Sequence, residues 1–527
     1  MSNRVHGLAQ FRLPAALLSA ALLAACAAGP DYERPKMDVP QAWSREQGAV
    51  EKGGAEQKAA KPDAAKQLPS KQTGEAGERW WTLYADAVLD KLEDEAFAHN
   101  ASVQVAVANV LLARAQLGIT EANQYPTVTA NARQSRTKQS AVGTFPFPPG
   151  AQLTRNLTHV SLDASYELDL WGKWRRAKES ARASVLSAEA SRDAAYLSLS
   201  AQVAQQYFSL LAFDAQLEVL RRALAGRQEM IALDRKKVEA GVMSDYDLHQ
   251  AEADEAAMRS QLATLDQARD RQESALAVLL GRSPRDVMNG VVERGAPQLA
   301  NVWVPEGLPS DLLLRRPDVQ AAEMNLVALN AQIGVARAQY FPSLSLTGYL
   351  GSESNALSQL FTSPANIFQI GAGISQQVTD AIFGRVGYMV DAAKANRDQA
   401  LAQYQQSVAS AFADLRNALT EQDASRQILE AETARSTALS QAYQQAELRY
   451  KVGISSRLEV LDVEKNYLQA DLNRIDAQRA QRSAVADLFK ALGGGWKAEP
   501  AAKDTGAAAP EHVSAGSEQG AAQGPAR

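Results

Sequence analysis

The sequence predicts a mainly α-helical chain built twice over, each half carrying one β-hairpin and one very long helical hairpin. Three observations predict it. Residues 112 to 132, LARAQLGITEANQYPTVTANA, correspond to residues 329 to 349, LNAQIGVARAQYFPSLSLTGY, so a helical run meets a proline (Pro126, Pro342) and becomes a strand twice. The returning segment HVSLDASYELDL, 159 to 170, alternates apolar and polar residues with a period of two. From Lys173 to Ala240 there is no proline and one glycine, Gly226, while Val203, Leu210, Leu217, Leu224, Ile231 and Val238 recur at heptad spacing.

The N-terminus is the first element. Arg4 and Arg12 precede an apolar run that ends in Leu23-Ala24-Ala25-Cys26, the pattern of a secretory signal over residues 1–25. The run is shorter than the ~20 residues a spanning helix needs, and no later stretch is read as one. Small residues before Cys26 resemble the bacterial lipobox, which makes Cys26 a candidate lipid anchor; the alternative is a chance cysteine in an ordinary signal. Cys26 is the sole cysteine, so no internal disulfide is available. Residues 26–43 would then be a lipidated N-terminal segment. Residues 44–79, rich in Gly, Lys, Glu, Gln and Ala, and the tail 498–527 lack the apolar side chains to offset chain entropy, and both are expected to be disordered.

The first structural repeat is assigned to residues 80–281, a connector to 282–307 and the second repeat to 308–497. Each repeat starts with a helix of about 25 residues ending at its proline, followed by a strand, 127 to 133 or 343 to 351. A polar loop leads to the returning strand, 159 to 170 or 368 to 378, completing β-hairpins at about 127–171 and 343–383. In the first returning strand Val160, Leu162, Ala164, Tyr166 and Leu168 share one face, and His159, Ser161, Asp163, Ser165 and Glu167 the other. Such strands suit a membrane barrel with lipid outside and water inside. Periodicity alone fits a half-buried hairpin in a soluble sheet equally well.

The long helices disfavour that second option. Sixty-eight residues at 1.5 Å each reach roughly 100 Å, more than one globular core accommodates. A second heptad run follows Gly241, through Leu248, Met258, Leu262, Leu265, Leu276 and Leu279, making an antiparallel pair. The second half repeats the plan, turning at Gly453. Four strands are too few to close a membrane barrel, so copies of the chain must join; two, three or four copies would supply eight, twelve or sixteen strands.

Several separated motifs carry a family resemblance: Ala28-Gly29-Pro30-Asp31-Tyr32-Glu33-Arg34-Pro35 after the lipobox, Trp80-Trp81-Thr-Leu-Tyr, and Leu308-Pro-Ser-Asp-Leu-Leu-Leu-Arg315-Arg316-Pro317-Asp318 running on to Glu323 and to Gly334-Val-Ala-Arg-Ala-Gln-Tyr-Phe-Pro342-Ser. The chain resembles the lipoprotein outer membrane factors of the TolC/OprM type. The resemblance implies a homotrimer with a twelve-stranded transmembrane β-barrel, four strands per chain, continued by a periplasmic α-helical barrel. It further implies the exit duct of a tripartite efflux pump for drugs or other small molecules, docked on a periplasmic adaptor protein and an inner membrane transporter of the RND class. An exit duct for type I protein secretion is the alternative within the same fold, and a soluble periplasmic coiled coil the alternative outside it.

No enzyme is expected. The five histidines, His6, His99, His159, His249 and His512, show no ligand spacing, and no phosphate-binding loop occurs, so neither cofactor nor metal is implied. A net charge of -5 indicates no nucleic acid partner. The candidate working parts are the two hairpin tips, 238–247 and 450–462, with Gly241, Ser244, Gly453 and Ser455 at the reversals; the resemblance makes these the surface that meets the adaptor. In the second tip Leu458, Asp462 and Lys465 stand at i, i+4 and i+7, on one helix face, and match positions that line the closed aperture in the family. The first tip has Tyr246, Gln250 and Ala253 there, without charge, and a solvated helix face is the plainer reading of both sets.

One expectation is testable on the sequence alone. Cys26→Ser should abolish lipidation and alter signal processing while the strands still insert, because a single acyl chain is a marginal anchor beside barrel burial. Fractionation checks it, and a stable soluble monomer would exclude the barrel.

Overall fold

The computed structural model describes residues 28–38, 79–142, 148, 150, 152–298 and 314–494. Cys26 and the signal, residues 44–78 of the low-complexity region, the end of the connector and the tail from 498 lie outside the described residues. A short 3₁₀ turn, Trp80–Tyr84, leads into α1 (Ala87–His99) and α2 (Ala101–Ala122), then β1 (Thr127–Lys138) and β2 (Thr154–Leu168), then α3 (Lys173–Glu239) and α4 (Asp245–Leu279). After the short α5 (Pro284–Asn289), the second half runs through α6 (Pro317–Ala338), β3 (Ser343–Ser354), β4 (Asn366–Ser375), the short α7 (Val378–Ile382), α8 (Arg385–Lys451) and α9 (Arg457–Ala491).

Both long helices are 67 residues, as their proline-free heptad runs predict. The shorter helices α2 and α6 stop at Ala122 and Ala338, before their prolines rather than at them. A residue preceding proline is excluded from helical backbone, so one tight turn intervenes, with Tyr125 N donating to Ala122 O (3.1 Å) and Phe341 N to Ala338 O (3.2 Å).

The strands form one antiparallel sheet in the order β1-β2-β3-β4. Its register is continuous, so faces follow residue parity along each strand. One face carries the rows Leu168–Leu344–Ile374, Tyr166–Leu346–Ala372, Val128–Ala164–Gly348–Ile370 and Ala130–Leu162–Leu350–Phe368. Val128, Leu162, Leu350, Phe368, Ile370 and Ile374 on it are all exposed in the single chain. The other face holds Asn131, Ser161, Asp163, His159, Glu353 and Glu167. Strands β1 and β2 run farther toward the turn than the sequence alternation indicates, because Arg136 and Lys138 break the apolar pattern without breaking backbone pairing.

Near the sheet the helices stand side by side in the order α2-α3-α6-α8; toward the tips the order is α4-α3-α9-α8. The shorter helices therefore stack end to end beside the long ones. At one junction Asn100 Nδ2 donates to Leu279 O (2.7 Å), and Gly281, with φ +73°, sits so close that a Cβ would lie 2.2 Å from His99 O. At the other Arg316 Nη1 donates to Ala491 O (3.2 Å). The heptad residues Val203, Leu210 and Leu217 are buried, each such side chain contributing about 1.5–3 kcal/mol.

Two features depart from the sequence reading. Helix α2 is long and apolar enough to cross a membrane, by length and composition, where no such later stretch is expected. Its polar residues are spread around the helix, which hides the apolar excess, and Val105, Leu111, Leu112 and Ile119 are exposed because only one flank packs on α3. The second is Glu93 on α1, fully buried with both carboxylate oxygens lacking a hydrogen-bond partner. Burial first, then the charges of Asp94 and Asp90, push its carboxyl well above the usual range, against the opposing pull of Arg79. An acid held above its unfolded value destabilises the fold once pH exceeds that unfolded value. Glu93→Gln should therefore raise the melting temperature at pH 7.5, with the gain shrinking as pH falls toward about 4; equal gains at both pH values would contradict the assignment.

Candidate functional site

The four helices beside the sheet line an open groove of about 830 Å³. Asn109, Gln116, Thr120, Ser184, Gln332, Gln339 and Asn396 line it with small apolar residues, and no lining side chain is charged. The polar face of the sheet carries its own network. There His159 Nδ1 lies 3.2 Å from Glu353 Oε2, Ser161 Oγ donates to Asp163 Oδ2 (3.2 Å), Asn131 donates to the same oxygen, and Lys173 Nζ donates to Glu167 (3.1 Å). Polar side chains that satisfy one another suit passage of a solute rather than its retention.

At the far end the two tips reverse by the same device. Gly241 and Gly453 have φ of +71° and +80°, a left-handed conformation that costs glycine little. Gly241 N donates to Val238 O (2.8 Å) and Val242 N to Lys237 O (2.9 Å); Gly453 and Ile454 repeat the pattern on Tyr450 and Arg449. Ser244 Oγ caps α4 by accepting from Tyr246 N (3.2 Å). In the second tip the cap is Ser456, accepting from Glu459 N (3.2 Å), and Ser455 instead donates to Glu459 Oε2 (2.7 Å). Ser456, not Ser455, is therefore the counterpart of Ser244.

Leu458 on α9 is 72% exposed, and Asp462 and Lys465 share its exposed face. Asn466 Nδ2 donates to Asp462 (3.4 Å). Tyr246, Gln250 and Ala253 are likewise exposed on α4. Within one chain both sets are exposed, and among the described residues no hydrogen bond or ion pair is seen between them.

What does join the two tips was not among the sequence candidates. Asp234 on α3 is completely buried, with Arg457 Nε of α9 at 3.4 Å and Lys237 Nζ at 3.8 Å. Lys237 Nζ donates to Tyr450 Oη of α8 (2.9 Å), and Arg227 of α3 reaches Glu464 of α9 (2.7 Å). The detectable signal was a difference between the halves: by the repeat offset Arg457 stands where the first half has Asp245, and Asp234 where the second has Ala446.

The outer membrane efflux protein family model matches residues 92–282 and 308–494, more than half of the chain. The chain belongs to the outer membrane efflux protein family. It is 32% identical to the antibiotic efflux pump outer membrane protein ArpC of Pseudomonas putida over 89% of this chain and 92% of that one. It is 30% identical to the cation efflux system protein CusC of Escherichia coli K12 over 88% of this chain and 95% of CusC. Among solved structures, the Campylobacter jejuni CmeC outer membrane channel superposes with a TM-score of 0.79 at 26% identity, covering 90% of this chain and 96% of CmeC. Membership makes the fold that of an outer membrane efflux channel, with the tandem match corresponding to the internal repeat.

The buried ion pair gives a prediction. Asp234→Ala leaves the largely buried Arg457 without its counter-charge, a change that costs about 3–5 kcal/mol at such sites. The melting transition should fall, and Asp234→Ala combined with Arg457→Leu should recover part of the loss. Additive losses in a double-mutant cycle would show that the two side chains are not coupled.

Proposed function

We propose that three copies of this chain close into one channel that forms the outer membrane exit duct of a tripartite efflux system. The observation that carries it is the sheet: among the described residues β1 and β4 are edges without strand partners, and the exposed face between them is apolar. Unpaired backbone is not tolerated in hydrocarbon. Pairing β4 of one copy with β1 of the next satisfies both edges, and twelve strands fall within the range of known barrels. The exposed flank of α2 lies on the chain's outer side in the helical wall, so the next copy covers it along the same seam.

Lipidation at Cys26 agrees with the place of Ala28 in the fold. Ala28 N donates to Trp171 O (3.0 Å) at the end of the sheet nearest the helices, beside the stacked rings of Trp171 and Phe341. Beyond it, Asp31 pairs with Arg176 (2.6 Å) and Arg34 binds Glu323 through two bonds (2.7 and 2.5 Å). An acyl chain on Cys26 would enter the inner leaflet at the height of this aromatic band.

The tips Gly241–Ser244 and Gly453–Ser455 are the docking surface for a periplasmic adaptor, itself coupled to an inner membrane transporter of the RND class that supplies the energy. Leu458, Asp462 and Lys465, repeated three times around the axis, form the resting constriction. Apolar rings exclude water, and carboxylate rings favour cations. The relatives named for antibiotics and for cations are about equally similar, as expected if a passive duct leaves cargo choice to the transporter.

Leu458→Ala with Asp462→Ala should raise single-channel conductance severalfold and reduce cation preference in a planar bilayer, with the trimer intact by mass. The matched changes at Tyr246 and Gln250 should do less. Unchanged conductance would remove the gate role while the duct stands; a detergent-purified monomer that forms no channel would remove both.

A further inference from the structure

We propose that Arg136 and Lys138, at the projecting end of the β1–β2 hairpin, form a contact site for the phosphate groups of an outer-leaflet lipid. The inference rests on the barrel reading above and adds a lipid partner to it. Between Thr127 and His159 the chain carries Arg133, Arg136, Lys138 and Arg155 and no Asp or Glu. The second hairpin, 343 to 375, carries only Glu353 and no Lys or Arg. The cationic charge is thus confined to one of two repeated hairpins, and nothing in the duplicated fold requires it.

The register divides these four cations between two faces. Arg136 pairs with Asn156 and Lys138 with Thr154, in the same parity as Ala130 with Leu162, so both point to the lipid side. Arg133 and Arg155, paired with His159 and Thr137, point to the lumen. Strand β3 ends at Ser354 opposite Thr158, which leaves the Arg136 and Lys138 rows clear of the sheet. Both side chains are exposed, and among the described residues neither forms an ion pair.

Height decides what they meet. The helices join the sheet at its Thr127, Leu168, Ser343 and Ser375 end, so the cations lie at the opposite, extracellular end. The last apolar row on the lipid side contains Ala132 and Val160. Arg136 is four residues farther, roughly 13 Å along the strand and about 10 Å along the membrane normal at the usual barrel tilt. That distance takes the guanidinium out of the hydrocarbon and into the headgroup layer. On a lipid-facing surface the only abundant anions at that depth are lipid phosphates. A forked guanidinium beside an ammonium binds them by charge-assisted hydrogen bonds; the hairpin's two carboxylates, Asp163 and Glu167, lie on the other face, toward the helices. An anionic solute in the channel would meet Arg133 and Arg155 instead.

The test compares the purified full-length channel with Arg136→Gln/Lys138→Gln and Arg133→Gln/Arg155→Gln. Native mass spectrometry titrates each with bisphosphorylated lipid A and with the same lipid stripped of its phosphates. The parent protein should prefer the phosphorylated form by roughly tenfold or more. The lipid-side double variant should lose that preference, keep its planar-bilayer conductance, and leave the lumen-side variant as the positive control that retains it. Channels that insert without phosphate preference, or that lose it only on changing Arg133 and Arg155, overturn this proposal alone. A chain that neither inserts nor conducts overturns it together with the channel reading.

Discussion

A strand edge left unpaired in hydrocarbon strands a row of backbone donors and acceptors, and this chain ends its sheet in two such edges, β1 and β4. The rest of the architecture follows that constraint. The apolar rows on one face make sense only against lipid, and the polar rows on the other only against water. Below β1 the exposed flank of α2 carries Leu111 and Ile119, and below β4 the start of α8 exposes Tyr388. Closing the sheet therefore closes the helical wall along one continuous seam, and neither layer is complete without the other.

The duplicated plan provides a scaffold, and function enters where the copies have diverged. At the helix junctions Asn100 and Arg316 occupy equivalent positions and cap equivalent carbonyls, Leu279 and Ala491, by different chemistry. At the tips the divergence is larger: Asp234 and Arg457 have Ala446 and Asp245 as counterparts, and this asymmetry lets one hairpin grip the other within a chain. A symmetric repeat would place like against like at that contact. The two β-hairpins differ in the same manner, one basic and one nearly neutral, although their backbones pair in the same sheet.

Legibility in the sequence tracked the range of the interactions involved. The long helices were readable to within a residue because heptad spacing and the absence of proline are local properties that survive any packing. The reversals at Gly241 and Gly453 were readable for a similar reason. Strand ends were not, because β1 continues through Arg136 and Lys138 on backbone pairing that ignores side-chain polarity. Which of the adjacent serines, Ser455 or Ser456, caps the second tip's helix was not legible, since both offer the same chemistry and only the turn decides between them.

By itself the sequence determined the elements, their order, their duplication and the need for closure, since each follows from periodicity, chain length and the insolubility of bare backbone in lipid. Tertiary structure decided which residues meet. Asp234 and Arg457 are more than two hundred positions apart, and no local pattern brings them together; the side-by-side order of α3 and α9 does. It likewise decided that Leu458 and Asp462 are exposed at the tip of a single chain. Periodicity reports which face a side chain takes, whereas the identity of its neighbour depends on how whole helices pack.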